Sequence, residues 1–263
     1  MPHVDHAGTK IYWEEEGDGE PLLLIMGLGA TLDWWNRLRP ALISRYRTIL
    51  FDNRGAGRSD CPPGPYSIPV MAEDARAVLD AAAVDAAHVL GMSMGGFIAQ
   101  ELALRHPARI RSLVLGCTSC GSRDAVRAAP EVSAALGARA TMAREDAIRA
   151  MVPYTFDAAT PRERVSEDLA MRLRAPVSNA GYLAQLDAVR TWGGSLARLG
   201  TLAAPTLVIH GETDALVPPE NAHILARAIP GAALVMLPHA SHIFLTDQTA
   251  AATGAILSFL KTV

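Results

Sequence analysis

The chain has 263 residues, half of them hydrophobic and 19% charged, with 24 Lys+Arg against 27 Asp+Glu for a formal net charge of −3. That balance excludes an intrinsically disordered chain, which combines low apolar content with strong net charge. It also excludes a nucleic-acid binder that works by displacing phosphate counterions from a basic surface. The longest apolar runs, Pro21–Gly29 and Arg111–Cys117, fall well short of the roughly 20 residues that span a bilayer. The opening residues Met1-Pro2-His3-Val4-Asp5 carry neither the basic flank nor the apolar core of an export signal. A cytoplasmic enzyme or binding protein with no nucleic-acid or membrane partner is the expectation.

In chain order, Val4–His6 and Lys10–Glu16 flank Ala7-Gly8-Thr9, a hairpin signal. Short continuous apolar runs bounded by turn residues then recur at Leu22–Met26, Thr48–Phe51, His88–Leu90, Ser112–Gly116, Thr206–His210 and Ala233–Leu237. Runs of this kind are parallel strands buried on both faces. Helical patterns alternate with them at Leu32–Ser44, Val70–Ala83, Met94–Arg105, Glu220–Ala228 and Thr249–Phe259. Pro69 opens the second of these, and Pro107 and Pro230 follow later ones. Strand–helix alternation predicts an α/β fold: a mostly parallel sheet of eight strands, flanked by helices, with the hairpin as its antiparallel edge. From about Ser122 to Leu199 only helical patterns appear, broken at Pro130, Gly137, Pro153, Pro161 and Pro176. About four helices are expected there. They would form a helical cap (122–199) inserted after the sixth strand into a core made of 1–121 and 200–263.

Three cysteines make no disulfide framework. Cys117 and Cys120 form a lone C-x-x-C with neither a second pair nor a histidine pair at zinc spacing, so they read as small apolar fillers and no metal is expected. Chemistry concentrates instead in Gly91-Met92-Ser93-Met94-Gly95, which follows an apolar strand and opens an apolar helix. A G-x-S-x-G turn in that context exposes its serine on a strained backbone at a helix N-terminus, where the dipole favours developing negative charge.

With these residues in view, the chain resembles the α/β-hydrolase fold family over nearly its whole length. Five segments match in order: Met26-Gly27-Leu28-Gly29 after the third strand, Asp52-Asn53-Arg54-Gly55-Ala56-Gly57-Arg58-Ser59, the Gly91–Gly96 elbow, His210-Gly211-Glu212-Thr213-Asp214, and Ser241-His242 after the last strand. Met26 departs from the family, which commonly has His there. A serine hydroxyl needs a base to take its proton, and that base needs a carboxylate to orient it. His242 is the candidate base, with His239 its competitor. Asp214 is the candidate acid, with Glu212 its competitor. The family pattern favours His242 and Asp214, and the order Ser, Asp, His agrees with this fold. The backbone N–H groups of Leu28 and Met94 are the expected oxyanion donors. Ser93 stands where dehalogenases and epoxide hydrolases of this fold carry Asp, so the resemblance implies acyl transfer without a cofactor.

Trp34, Met151, Tyr154, Phe156, Trp192 and Ile243 are the expected pocket residues, with Trp35, Met92, Phe97, Met142 and Phe244 as further apolar candidates. The arginines of the inserted segment, from Arg123 to Arg190, read mostly as solvated face residues. One of them is available to orient a substrate carboxylate, as an enol-lactone of an oxo-dicarboxylic acid would require. The layout is similar to small bacterial carboxylesterases and 3-oxoadipate enol-lactonases, which implies a small-molecule ester or lactone as substrate. Carbon–carbon bond hydrolases usually carry Trp after the histidine, where Ile243 stands, and cofactor-free haloperoxidases often carry Trp at Leu28; both rank lower. A ligand-binding receptor of the same fold is the non-enzymatic alternative.

Overall fold

A computed structural model describes residues 2–263 except 122, 123 and 140, so Met1, Ser122 and Arg123 of the sequence reading lie outside the described residues. Eight strands form one sheet: β1 (His3–His6), β2 (Thr9–Glu16), β3 (Glu20–Ile25), β4 (Tyr46–Phe51), β5 (Ala87–Met92), β6 (Ile110–Gly116), β7 (Thr206–Gly211) and β8 (Ala233–Leu237). Their spatial order is β1-β2-β4-β3-β5-β6-β7-β8. β1 and β2 pair antiparallel through the expected hairpin, β2 pairs antiparallel with β4, and every later pairing is parallel. This is the α/β-hydrolase fold, with its eight-stranded, mostly parallel sheet flanked by helices.

Alternation along the strands splits the core. Leu23, Ile25, Ile49, Phe51, Val89, Leu113, Leu115 and Val208 share one buried cluster, while Leu22, Leu24, Leu50, Leu90, Val114, Leu207 and Ile209 share the other. Both faces are covered, which is why these strands read as unbroken apolar runs. Of the helices, α1 (Arg39–Ile43) lies on the second face, and α2 (Ile68–Ala81) and α3 (Met94–Arg105) on the first. The helix expected over Leu32–Ser44 is two pieces, a 3-10 turn at Leu32–Trp35 and α1. Pro40, in the first turn of α1, has no N–H to continue a ladder and starts a new helix instead. α2 opens as expected, with Pro69 in its first turn and the Ser67 hydroxyl accepting from the Val70 amide at 3.3 Å.

Between β6 and β7 the described residues hold helices only: α4 (Pro130–Ala138), α5 (Arg144–Arg149), α6 (Val152–Thr155), α7 (Arg162–Arg174), α8 (Asn179–Thr191) and α9 (Leu196–Leu199). Six helical pieces thus stand where about four were expected, with Pro130, Pro153 and Pro161 at the start of α4, α6 and α7. After β7 come α10 (Glu220–Ala228) and, after β8, a short α11 (Phe244–Asp247) and α12 (Thr249–Leu260). Among the described residues no helix is long and apolar enough to cross a membrane.

One close approach positions everything that follows. The turn from β5 into α3 runs against the end of β3, so that a Cβ on Gly95 would lie 2.0 Å from the Ile25 carbonyl oxygen. Gly95→Ala is therefore expected to destabilise the protein by about 1–3 kcal/mol through overpacking, read as a lowered denaturant midpoint. An unshifted midpoint would contradict the contact.

Candidate active site

Ser93, between β5 and α3, has φ 57° and ψ −122°, a left-handed conformation that a residue with a Cβ adopts only under strain. Gly91 makes the turn possible, since a Cβ there would meet the Gly95 carbonyl oxygen at 2.3 Å. The hydroxyl is thereby lifted off the carboxyl edge of the sheet. His242 Nε2 lies 3.0 Å from Ser93 Oγ, and His242 Nδ1 lies 2.9 Å from Asp214 Oδ2. Asp214 and His242 are buried. The competing residues are not part of this line: Glu212 and His239 are exposed.

Asp214 is held on several sides. Its Oδ1 accepts the amides of Leu216 at 2.9 Å and Val217 at 2.8 Å. His210, also buried, donates Nε2 to the Val217 carbonyl at 2.8 Å and approaches Asp214 Oδ2 at 3.3 Å. Burial alone raises a carboxyl, but the charge of His242 and hydrogen bonds from His210 and His242 outweigh it and hold Asp214 well below the usual carboxylate range. The acid is thus ionised when it faces the imidazole. Cys117 lies behind it, its sulfur within 4.8 Å of ligand atoms on Asp214 and His242. Burial and the Asp214 charge push that thiol well up, whereas a zinc ligand must be a thiolate, and both imidazole nitrogens of His242 already face partners.

Two residues beside Ser93 have backbone amides with no acceptor among the described residues. Met94 is the first residue of α3, so its N–H has no carbonyl one turn earlier to bind. The Leu28 amide, in the loop after β3, meets no protein acceptor among the described residues. Both residues line a cavity of about 350 Å³ together with Ser93 and His242. The loop carrying Leu28 is clamped from two directions. Asn53 donates to the Met26 carbonyl at 2.8 Å, and Asp52 accepts the Leu32 amide at 2.8 Å and the Arg58 amide at 2.9 Å. The Asp52–Ser59 motif is accordingly a brace for the neighbouring loop. From the inserted helices, the buried Gln185 accepts the Gly29 amide at 2.8 Å and donates to the Arg54 carbonyl at 2.8 Å.

The loop carrying His242 is clamped as well. Asp247 accepts the Ser241 amide at 2.7 Å and the Thr160 hydroxyl at 2.6 Å, and Ile243 donates to the Thr155 carbonyl at 2.8 Å. Burial pushes the Asp247 carboxyl up against these donors. Asp168 of α7 joins Arg37 at 2.8 Å and also accepts from the Thr246 hydroxyl. Sequence reasoning missed Gln185, Asp168, Asp247 and His210 as supports of the site. For Asp52, Asn53 and His210 the motifs themselves were the available signal; Gln185 and Asp168 meet partners far along the chain, which no spacing announces.

Of the expected pocket residues, Trp34, Met151 and Ile243 line the cavity. Tyr154, Phe156 and Trp192 do not, which corrects the sequence expectation. α6 has only four residues, and Met151 and Thr155 take its inward positions, leaving Tyr154 half-buried elsewhere. Phe156 packs into the core cluster that holds Trp34 and Ile243, beside a shallow groove lined by Val152 and Val165. Trp192 stacks on Phe97 at 4.6 Å and donates Nε1 to Glu101 at 2.9 Å, with Phe97 between it and the cavity wall.

The family described as alpha/beta hydrolase fold matches residues 20–249. The chain is similar, at 32% identity over 93% of its length and 92% of the other, to a putative carbamate hydrolase RutD of Azorhizobium caulinodans. It is 34% identical to a pimeloyl-[acyl-carrier protein] methyl ester esterase of Aeromonas hydrophila, over 87% of this chain and 91% of that one. Among solved structures it is similar to the enol-lactonase of Burkholderia xenovorans LB400, with a TM-score of 0.85 and 30% identity, covering 99% of this chain and all (100%) of that one.

Replacing Gln185 by Leu strands the Gly29 amide and the Arg54 carbonyl together, and is expected to cost about 1–3 kcal/mol of stability. Urea unfolding measures it; an unchanged free energy would mean that this clamp does not hold the loop.

Proposed function

The chain belongs to the α/β-hydrolase fold family, and on that premise we propose that it is a serine hydrolase cleaving small or medium carboxylic esters through an acyl-enzyme. The observation that carries this reading is the continuous line Asp214–His242–Ser93, hydrogen-bonded at 2.9 and 3.0 Å and opening on a largely apolar cavity. Ser93 Oγ attacks the ester carbonyl carbon while His242 Nε2 takes its proton. The carbonyl electron pair moves to oxygen, and the Leu28 and Met94 amides, with the α3 dipole behind Met94, stabilise that charge. Asp214 keeps the Nδ1 proton in place and stabilises the imidazolium. Collapse expels the alkoxide, which takes the proton from His242 and leaves as the alcohol. Water then attacks the acyl group, gives its proton to His242, and Ser93 is regenerated as the acid departs.

A lactone is the second substrate form, because the same chemistry applies when the leaving alkoxide is tethered to the acyl group; similarity to the enol-lactonase supports it. The esterase among the relatives supports the ester form. Residues 122–199 act here as a cap that shapes the acyl site, a role consistent with Met151, Arg172 and Leu186 on the cavity wall.

Ser93→Ala is expected to keep the fold and lose roughly 10⁴–10⁶-fold in ester turnover, and to escape a serine-directed phosphonate that labels the wild type. Label on another residue would refute the nucleophile. Asp214→Asn is expected to cost on the order of 10⁴ in turnover by leaving the imidazole in the wrong tautomer. The acid assignment fails if Glu212→Gln is the crippled variant instead. Met151→Ala, inside the cavity, should move relative kcat/KM values across an acyl-length series by about 10–200-fold. Tyr154→Ala, outside it, should leave that profile as it is; the reverse pattern would relocate the acyl site.

A further inference from the structure

The cavity beside Ser93 has an electrostatic imbalance that ester hydrolysis alone does not explain. Its wall carries Arg127, Arg139, Arg172 and Arg190 and, among the described residues, no Asp or Glu. Arg172 of α7 is 9% exposed, with its guanidinium stacked on the Trp34 ring at 4.2 Å. Arg139, just after α4, stacks on the Tyr182 ring of α8 at 4.4 Å. Both arginines line the main cavity and also a small adjoining one of about 40 Å³, so they stand at the boundary between the two.

Among the described residues neither guanidinium has a carboxylate partner, and Arg139 Nε and the Tyr182 hydroxyl are buried with no hydrogen-bond partner. The nearest acid on α7, Asp168, is committed to Arg37 and Thr246. Other arginines of this protein are matched: Arg54 with Asp74, Arg198 with Glu101, Arg144 with the carbonyls of Leu173, Arg172 and Ala175. A buried and a half-buried cation without a counter-charge are unfavourable unless an anion completes them. Burial, then the Arg139 charge, pushes the Arg172 guanidinium down to about 9, which leaves it charged at neutral pH.

We propose that Arg139, Arg172 and Tyr182 form an anion subsite, so that the substrate is an ester or lactone carrying a free carboxylate remote from the scissile bond. This assignment rests on reading Ser93 as the nucleophile of the same cavity. The chemistry matches in three ways. Stacking on Trp34 and Tyr182 fixes the guanidinium planes and leaves their N–H edges to meet a carboxylate, which is itself planar and accepts paired N–H bonds. The Tyr182 phenol, on the wall of the small adjoining cavity, adds a third donor. The apolar remainder of the wall, with Met151, Leu186 and Ile243, suits the methylene chain that would join the two ends of such a substrate.

Phenyl hydrogen adipate and its neutral carboxamide counterpart test this directly, because they differ only at the remote end. The wild type should favour the anionic ester by roughly 10–100-fold in kcat/KM. Arg139→Gln and Arg172→Gln should each bring that ratio toward one, and Arg172→Lys should retain part of it. Since the readout is a ratio, general damage to a variant does not imitate the effect. In parallel, adipate is titrated calorimetrically into Ser93→Ala protein, where binding is expected and should weaken about tenfold or more when Arg172→Gln is added. Equal rates for the two esters, or no adipate binding, would overturn the subsite and leave the serine chemistry standing. Arg172-dependent adipate binding in a protein that hydrolyses no ester and takes no phosphonate would keep the subsite and overturn the nucleophile instead.

Discussion

Everything at the carboxyl edge of the sheet depends on the turn at Ser93. A residue with a Cβ sits at positive φ there because the strand, the turn and the helix after it are packed too tightly to relax, with glycine at Gly91 and Gly95 admitting the close backbone contacts. The conformation sets three directions at once. It aims the Ser93 hydroxyl at His242, leaves the Met94 amide free at the start of α3, and presents both to the cavity. The loops after β3, β7 and β8 contribute Leu28, Asp214 and His242, and each must arrive at a position that the turn has already determined.

Those loops do not hold themselves. The inserted helices reach back to them through buried polar groups: Gln185 to the Gly29 amide, Asp168 to Thr246, and the Thr155 carbonyl to the Ile243 amide. A buried carboxylate or amide is costly if left unpaired, so each of these groups favours one arrangement of loop and helix over its neighbours. The same segment supplies the apolar wall and the two unmatched arginines. In the proposed reading, selectivity and loop support share one stretch of chain, and changes there are expected to trade one against the other.

The inner strands were legible because burial on both faces leaves an unbroken apolar run, and the observed β7, Thr206–Gly211, is buried throughout and runs one residue past its expected end. α3 was equally plain, since Met94–Arg105 is apolar almost throughout. Failures have local causes. Pro40 divided a pattern that periodicity alone would carry through, and α6 is too short for periodicity to say which side faces inward. Tyr154 was therefore misplaced, and Trp192, at the end of α8, turns to Phe97 and Glu101 instead. The inward placement of Arg139 and Arg172 was invisible for a related reason: whether an arginine on or beside an amphipathic helix meets water or a cavity is decided by the helices packed against it. Sequence could place a carboxylate-orienting arginine in the segment but could not say which.

The most direct test of the central claim is to catch the acyl group on its residue. Wild-type protein mixed with a slowly deacylating ester, quenched within one turnover and digested with trypsin, is expected to carry the acyl mass on Ser93 in the peptide Ala77–Arg105, with none in Ser93→Ala. Acyl mass on another side chain, or rapid product release with no adduct at any quench time, would contradict an acyl-enzyme built on this turn.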